Sequence, residues 1–452
     1  MLLPPDLREW LPEGHLALFV ADVVEALDLS EILDAYERGD LRGYPPYHPV
    51  MMVKLLVYGY CTGVISSRKI ERATVVDVAF RVLAANQHPD HDSIASFRKR
   101  HLQALAGLFV QVLRVCEKAG LVKLGHIAID GTKVRANASK HKAMSYGRMA
   151  ETETKLEAEM IALLEEAQRL DDAEDARYGK DTRGDELPAE LARRESRLEK
   201  IRAAKAALEQ EAREAAEQKA AEARAKIAER QRKAEASGTK PGGHDPKVPD
   251  PASAVPEAKA QKNFTDPESR IMKDGATKSF EQCYNAQAGV DAQAQIIVAA
   301  EVVQTPTDKQ QLVPMLEAVE ENAGRRPEQA SADSGYFSSS AVTDERLEGI
   351  ALYVPPDRVK HGPAVDAVTE PAPEDVSVIE KMRHKLKTTV GRQIYGKRKA
   401  VVEPVFGQIK EARGFRRFSF RGLKNVQAEW NLVCLTHNLL KLFRAGGLPR
   451  PA

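Results

Sequence analysis

The chain has little cysteine and no pattern in what it has. Cys61, Cys116, Cys283 and Cys434 lie far apart with no CxxC spacing, which argues against a zinc site or a disulfide frame and reads as free thiols in a reducing compartment. No run of ~18 apolar residues, the length a membrane helix needs, occurs anywhere, and no basic-then-apolar leader opens the chain. The expectation is a cytoplasmic protein with no membrane partner. A surplus of one charge is also missing: 67 Lys and Arg stand against 66 Asp and Glu. That balance averages segments of opposite character and decides nothing about partners. What is present is length and apolar mass, 452 residues at 43% hydrophobic, enough for two or three domains with a substantial core.

Residues 1–120 read as helical. Pro49 opens a strongly apolar stretch through Tyr58, suited to the first turn of a buried helix. Residues 68–83 carry Ile70, Val75, Val78 and Val82 at helical spacing, and Asp92 caps a segment that continues through Leu105, Leu108, Val112 and Val115. Arg68, Lys69, Arg72, Arg98, Lys99 and Arg100 lie on these helices. They fit a helix-turn-helix-like DNA reader, and equally a packing domain with a solvated basic face.

The period then changes. Residues 125–133 form a short apolar run ending in Asp130-Gly131, a buried strand followed by a turn. Residues 121–143 are thus the first part of a second domain. Residues 144–236 are dominated by Ala, Glu, Lys and Arg. Leu156, Met160, Leu163 and Leu170 mark one helix, Leu191, Leu198, Ile201 and Leu208 another, and the break falls at 179–188. This predicts an antiparallel helical hairpin, coiled-coil-like, with a solvated distal end after Leu208. Residues 237–261, rich in Pro and Gly, predict a flexible linker. Residues 262–445 resume strand patterns: 279–290 and 295–303 around a hairpin at Asp291-Ala292-Gln293-Ala294, then a helix opened by Thr307-Asp308. A run ending in Asp333-Ser334-Gly335, a short helix over 339–347 and a strand at 351–354 follow. Without the insertion this is an α/β domain, a mixed sheet flanked by helices.

Asp130 and Asp333 each end an inferred strand beside a glycine, where side chains of α/β sheets converge. A carboxylate there is costly unless paired or metal-bound. Glu403 is the third acid. Between residues 381 and 424 fourteen Lys and Arg stand against Glu403 and Glu411 alone, and so positive a run fits a phosphate backbone. Glu403 and Lys410 are seven residues apart, two helical turns, and share a face. Pro404 predicts that the helix starts or kinks near Glu403. Three carboxylates suit magnesium, with manganese as a substitute, in displacement at phosphorus. Of the competing acids, Asp308 reads as helix-capping, Asp291 and Asp274 as turn-forming; Asp266 has no reading.

The segments Ala128-Ile129-Asp130-Gly131-Thr132, Tyr284-Asn285-Ala286-Gln287, Ala332-Asp333-Ser334-Gly335-Tyr336 and Val402-Glu403-Pro404-Val405-Phe406-Gly407-Gln408-Ile409-Lys410 resemble DDE transposases of bacterial insertion sequences, the group called eleven-eighty-two most of all. Arg416-Arg417-Phe418, Arg421-Gly422-Leu423 and the run from Glu429-Trp430 to His437-Asn438-Leu439 match the C-terminal pattern of that group. The resemblance implies an RNase H-like catalytic domain, with Asp130 on the first strand, Asp333 after the fourth and Glu403 on a following helix. It also implies an N-terminal helical DNA-binding domain. A related signature, Y-(2)-R-(3)-E-(6)-K, fits Tyr395 and Arg398 only with one residue added before Glu403; strict spacing selects Gly396 and Lys399. The implied activity is metal-dependent cleavage and strand transfer, by a homodimer on double-stranded DNA that comprises element ends and target. Lys410, Arg398, Tyr395 and Lys399 are the candidate phosphate contacts. The alternatives are an inactive DNA-binding architectural or regulatory protein, and an RNase H-like nuclease that does not join strands. The helical insertion reads either as a bridge between protomers or as a solvated arm.

Overall fold

The computed structural model describes residues 6–38, 47–178, 189–237, 244–273, 278–358 and 376–446, the side chains of 166–168, 170–178, 189–191, 233, 236 and 237 excepted. The expectations for Asp274 and for the break at 179–188 fall outside these residues. The chain divides into two compact units, one of Met1–Asn137 with Met272–Ala452, the other Ala138–Ile271. The helical segment 1–120 therefore shares a unit with the strands that follow.

The strands are β1 (Ile127–Arg135), β2 (Ala143–Ser145), β3 (Gln261–Asn263), β4 (Arg270–Lys273), β5 (Phe280–Asp291), β6 (Ile296–Val303), β7 (Gln329–Ser331) and β8 (Ala351–Tyr353). The main sheet runs β4-β5-β1-β7-β8, with β6 also paired to β5. β5 is antiparallel to β1 and β6, while β7 is parallel to β1 and β8 to β7. It is a mixed sheet, as the strand pattern predicts. The hairpin at Asp291 forms because that carboxylate accepts from the Gln293 amide at 2.7 Å and from the Leu124 amide at 2.7 Å.

β1 departs from expectation. It does not turn at Gly131 but continues to Arg135. Gly131 is needed there for room, since a Cβ would lie 2.3 Å from Gln287 Nε2 and 2.9 Å from Asn285 Oδ1.

The helix Leu423–Arg444 covers the free side of β6. Asn438 accepts from the Ile297 amide and donates to its carbonyl, both at 2.8 Å. Gln427 accepts from the Val302 amide at 2.6 Å and donates to the Ala300 carbonyl at 2.8 Å. Eleven helical residues and five strand residues both span about 16 Å, so two amide side chains three turns apart meet two ends of one strand. An exposed edge is thereby closed.

Among the N-terminal helices, Pro49–Thr62 is buried along almost its whole length. No single described helix is long and apolar enough to cross a membrane. The helix expected over 68–83 is two, Ser67–Val76 and Val78–Leu83, because the Asp77 carboxylate caps the second by accepting from the Ala79 and Phe80 amides. Val75, placed on the apolar face by spacing, is 54% exposed. The cap of the next helix, His91–Arg100, is Asp90 rather than Asp92. All four cysteines are buried and free.

The helix does not start near Glu403: Thr389–Gly407 runs through Pro404 and passes into a π-helical turn, Gln408–Ala412. Proline has no N–H for the Ala400 carbonyl. The Gln295 side chain donates to that carbonyl instead, at 2.8 Å.

The second unit is a helical hairpin on a small ribbon of β2 paired with β3. Its helices, Tyr146–Tyr178 and Ala189–Ser237, close over Met149, Leu156, Leu198, Ile201 and Leu208. The distal stretch is not bare. Ala216, Ala220 and Ala223 are buried, and the chain at Val248, Pro249 and Ala254 lies against the Ala216 side of the helix. Arg230 donates to the His244 carbonyl at 2.8 Å. Small residues on that face admit the returning backbone, which is why so few large apolar residues mark it. In the described part of the expected linker the side chains are mostly exposed, with Pro256 buried. Asp266 is fully buried in a turn whose carbonyl accepts the Ser269 hydroxyl at 2.8 Å.

Candidate active site

β7 pairs with β1 only at Ile127 and Ala128, so β1 runs on past the end of its parallel neighbour. Asp130 lies on that overhang and Asp333 two residues beyond β7. Burial pushes the Asp130 carboxyl up, Arg398 opposes the shift, and the nearby charge of Asp333 adds to it. Asp130 Oδ1 accepts from the Gly131 amide at 2.8 Å and Oδ2 from Arg398 Nη1 at 2.9 Å. Asp333 Oδ1 accepts from the Gly335 amide at 2.8 Å. Arg398 arrives from the helix Thr389–Gly407 with its side chain 7% exposed. Tyr395 lies with its ring centroid 5.9 Å from the guanidinium. Of the two spacings left open by the sequence, Arg398 reaches Asp130 and Tyr395 lies against Arg398, while Gly396 and Lys399 are exposed.

Asp308 was missed. The helix Leu312–Ala323 starts after Gln311, and the Asp308 side chain caps nothing. Its Oδ1 accepts from Asn285 Nδ2 at 2.6 Å and from Gln287 Nε2 at 2.7 Å, with Lys133 Nζ at 3.7 Å. The Tyr336 hydroxyl donates to Gln287 Oε1, tying the Asp333 turn to β5. A Cβ on Gly335 would lie 3.0 Å from Asp333 Oδ1 and 3.7 Å from Asp308 Oδ2, so the two carboxylates face one small space. Burial, with the charges of Asp308, Asp130 and Asp333, pushes the Tyr336 phenol well up. The signal in the sequence was two amides, Asn285 and Gln287, on one face of a strand buried almost throughout; such groups need a polar partner.

Glu403 is exposed, and among the described residues its side chain makes no ion pair or hydrogen bond. Lys410 Nζ donates to Thr132 Oγ1 at 2.8 Å and to the Lys133 carbonyl at 2.9 Å. A π turn, Gln408–Ala412, begins between Glu403 and Lys410. Among the described residues no three Asp, Glu, His or Cys side chains are grouped so as to hold a metal ion. Of the N-terminal cations, Arg68, Lys69, Arg72, Lys99 and Arg100 are exposed. Arg98 is not: it donates to the Ile65 carbonyl at 2.9 Å and sits 5.2 Å over the Phe420 ring. The buried Glu429 carboxylate, which accepts from the Tyr60 hydroxyl at 2.9 Å, is its electrostatic partner.

Two family models match the chain. One, described as a transposase domain (DUF772), covers residues 5–100; the other, described as a transposase DDE domain, covers residues 368–443. Together they indicate an insertion-sequence DDE transposase. The DDE-domain match in this transposase holds Tyr395, Arg398, Glu403 and Lys410 with the helix that closes β6, while Asp130, Asp308 and Asp333 fall between the two matched segments. No curated protein and no solved structure matches the chain.

Proposed function

We propose that this transposase cleaves DNA at the ends of its element and joins the freed ends to target DNA, on an RNase H-like catalytic domain. The observation that carries the reading is the meeting of Asp130, mid-sheet, with Asp333 at the end of the adjacent parallel strand, under an arginine from a later helix. The path β6-β5-β1-β7-β8, three antiparallel strands followed by two parallel ones, supports the RNase H-like assignment.

DDE transposases generally use a divalent metal, and the residues suit one. Every donor is a hard oxygen, as magnesium and manganese prefer. Asn285 Oδ1 is fully buried without a hydrogen-bond partner beside Gly131, and Arg398 already stands as a cation on Asp130. Asp130, Asp333 and Glu403 would hold the metal, which when bound lowers the pKa of an attacking water and stabilises the leaving oxygen. Arg398 balances the buried Asp130 charge and is placed to turn its guanidinium to a phosphate. Lys410 braces Thr132, two residues from Asp130, and Lys399 and the exposed N-terminal cations hold the DNA backbone. The protein acts in the cytoplasm, as a homodimer on DNA.

A second reading of the third acid has one observation in its favour: Asp308 shares the space over Gly335 with Asp333, whereas Glu403 touches neither aspartate through a hydrogen bond or ion pair. Excision and integration from a donor plasmid carrying the native flanks tests both. Movement with the unchanged protein, lost in Asp130→Asn, Asp333→Asn and Glu403→Gln, is expected; loss in Asp308→Asn with retention in Glu403→Gln selects the second reading. Cleaved ends that never join leave a nuclease. No cleavage by soluble protein that still binds the ends leaves a DNA-binding protein.

A further inference from the structure

Five cations of the hairpin unit are held by acids near the ribbon and along the helix pair. Arg194 pairs with Glu159 at 3.1 Å, Arg202 with Glu153 at 3.0 Å, and Lys205 with Glu153 at 2.8 Å. Arg270 pairs with Glu211 at 2.9 Å, and Lys262 shares the same carboxylate. Among the described residues Lys142, Arg148, Arg197 and Lys200 pair with no acid, and together with His141 they line one cleft of about 430 Å³. Its floor is apolar: Met144, Ile201 and Phe264. No carboxylate lines it.

The convergence comes from three elements. Arg197, Lys200 and Ile201 are spaced i, i+3, i+4 on the helix Ala189–Ser237 and so share a face. Arg148 stands in the first turn of Tyr146–Tyr178, and His141 and Lys142 in the 3-10 turn Lys140–Lys142. Four like charges around one opening repel one another and add nothing to folding, and unlike the scattered cations further along the same helix they converge on one cleft. An anion of several charges relieves that repulsion. Exposed cations at the rim and an apolar floor suit a phosphodiester chain, whose phosphates lie outside and whose sugars are less polar.

We propose that this cleft is a sequence-independent binding site for the backbone of double-stranded DNA, which gives the helical insertion a DNA-holding role of its own. The choice of DNA as the polyanion rests on the transposase reading; the anionic character of the ligand rests on the cleft alone.

The test is fluorescence anisotropy of the full chain with a labelled duplex of arbitrary sequence, titrated across salt concentrations. The variant is Arg148→Gln with Arg197→Gln and Lys200→Gln. Each lost phosphate contact makes the slope of log K against log salt shallower by about one, so the triple variant is expected to bind more weakly with a slope shallower by about three. Arg213→Gln with Arg224→Gln and Lys226→Gln removes equal charge from exposed positions on the same helix and is expected to keep the wild-type slope. All the altered residues are exposed, and melting curves confirm that both variants fold. A triple variant with the wild-type slope, a control that shifts as far, or tighter binding of polyglutamate than of duplex overturns the proposal while leaving the transposase reading intact. Absence of any duplex binding by wild type removes both.

Discussion

Asp333 is one atom-for-atom change away from a decisive test. Asp333→Asn keeps an oxygen for the Gly335 amide, now accepted at 2.8 Å, and removes only charge. Cation-assisted displacement at phosphorus draws several kcal/mol from its carboxylates, which is a loss on the order of 10³-fold in rate. We expect cleavage of a labelled element end to fall at least that far, with end binding and the melting temperature nearly unchanged; a fall in melting temperature alongside would recast Asp333 as structural. Asp130 and Asp333 were legible because each closes an apolar or small-residue run next to a glycine. Asp308 was not, because Thr-Asp before a helix obeys the rules of capping, and only the three-dimensional approach of Asn285 and Gln287 shows what its carboxylate holds. His437 carries a second prediction. Burial, with Arg413 adding, pushes its imidazole down to about 3, against about 6.5 in an unfolded chain. Between those values the unfolded state takes up a proton that the folded state refuses, so stability is full above 6.5 and falls as the pH drops. At pH 5 the loss is about 2 kcal/mol. The raised carboxyls of Asp130 and Glu429 act in the opposite sense, so the effect must be read by difference. His437→Gln can still donate to the Gln295 carbonyl, now at 2.9 Å from Nε2, and should lose less stability between pH 7 and pH 5 in urea denaturation. An equal loss in both proteins would refute the assignment.

At the scale of elements, period was a good guide to faces and a poor one to ends. Leu312, Met315, Leu316 and Val319 are buried as their spacing requires, but the helix begins four residues after Asp308. The Asp77 break was hidden because Ile70, Val78 and Val82 keep helical spacing across it. The π turn at Gln408–Ala412 leaves no mark in the sequence beyond Pro404 itself. The motif from Glu429 to Asn438 was visible as a family pattern, yet its physical role in closing β6 required knowing that β6 has a free edge. Asn438→Ala tests that role. It strands a buried amide and a buried carbonyl of Ile297, each worth about 1–3 kcal/mol when left unpaired. Urea denaturation should show about 2–5 kcal/mol lost. Asn438→Asp, which sets an unpaired carboxylate against the Ile297 carbonyl in a fully buried place, should lose at least as much as the alanine. A loss under 1 kcal/mol for the alanine would mean that β6 does not depend on this clasp.

At the scale of the whole molecule, a family pattern that spans both ends of the chain coexists with a middle unit that neither matched segment touches. Ala138–Ile271 has its own apolar core and ion pairs, and its two ends are joined by the β2–β3 ribbon, where Ala143 stands opposite Asn263. In the other unit, the Ala136 amide donates to the Gln282 carbonyl at 2.8 Å, so the chain there is anchored just before the insertion begins. A unit entered and left through paired strands can be cut out with little disturbance to the fold that carries it. Replacing residues 138–269 with a short Gly-Ser linker, which leaves β4 whole, should therefore leave a soluble protein with one cooperative thermal transition, because Asp130, Asp333, Arg398 and the β6 clasp all lie outside the excised stretch. The isolated hairpin unit should be helical by circular dichroism but melt early, since only a handful of large apolar side chains hold its two helices together. If the basic cleft holds DNA, the excised protein also loses about four units of salt slope, one more than the triple variant because Lys142 goes too. A shortened protein that aggregates, while the isolated hairpin stays folded, would show that the sheet unit depends on the insertion for its stability.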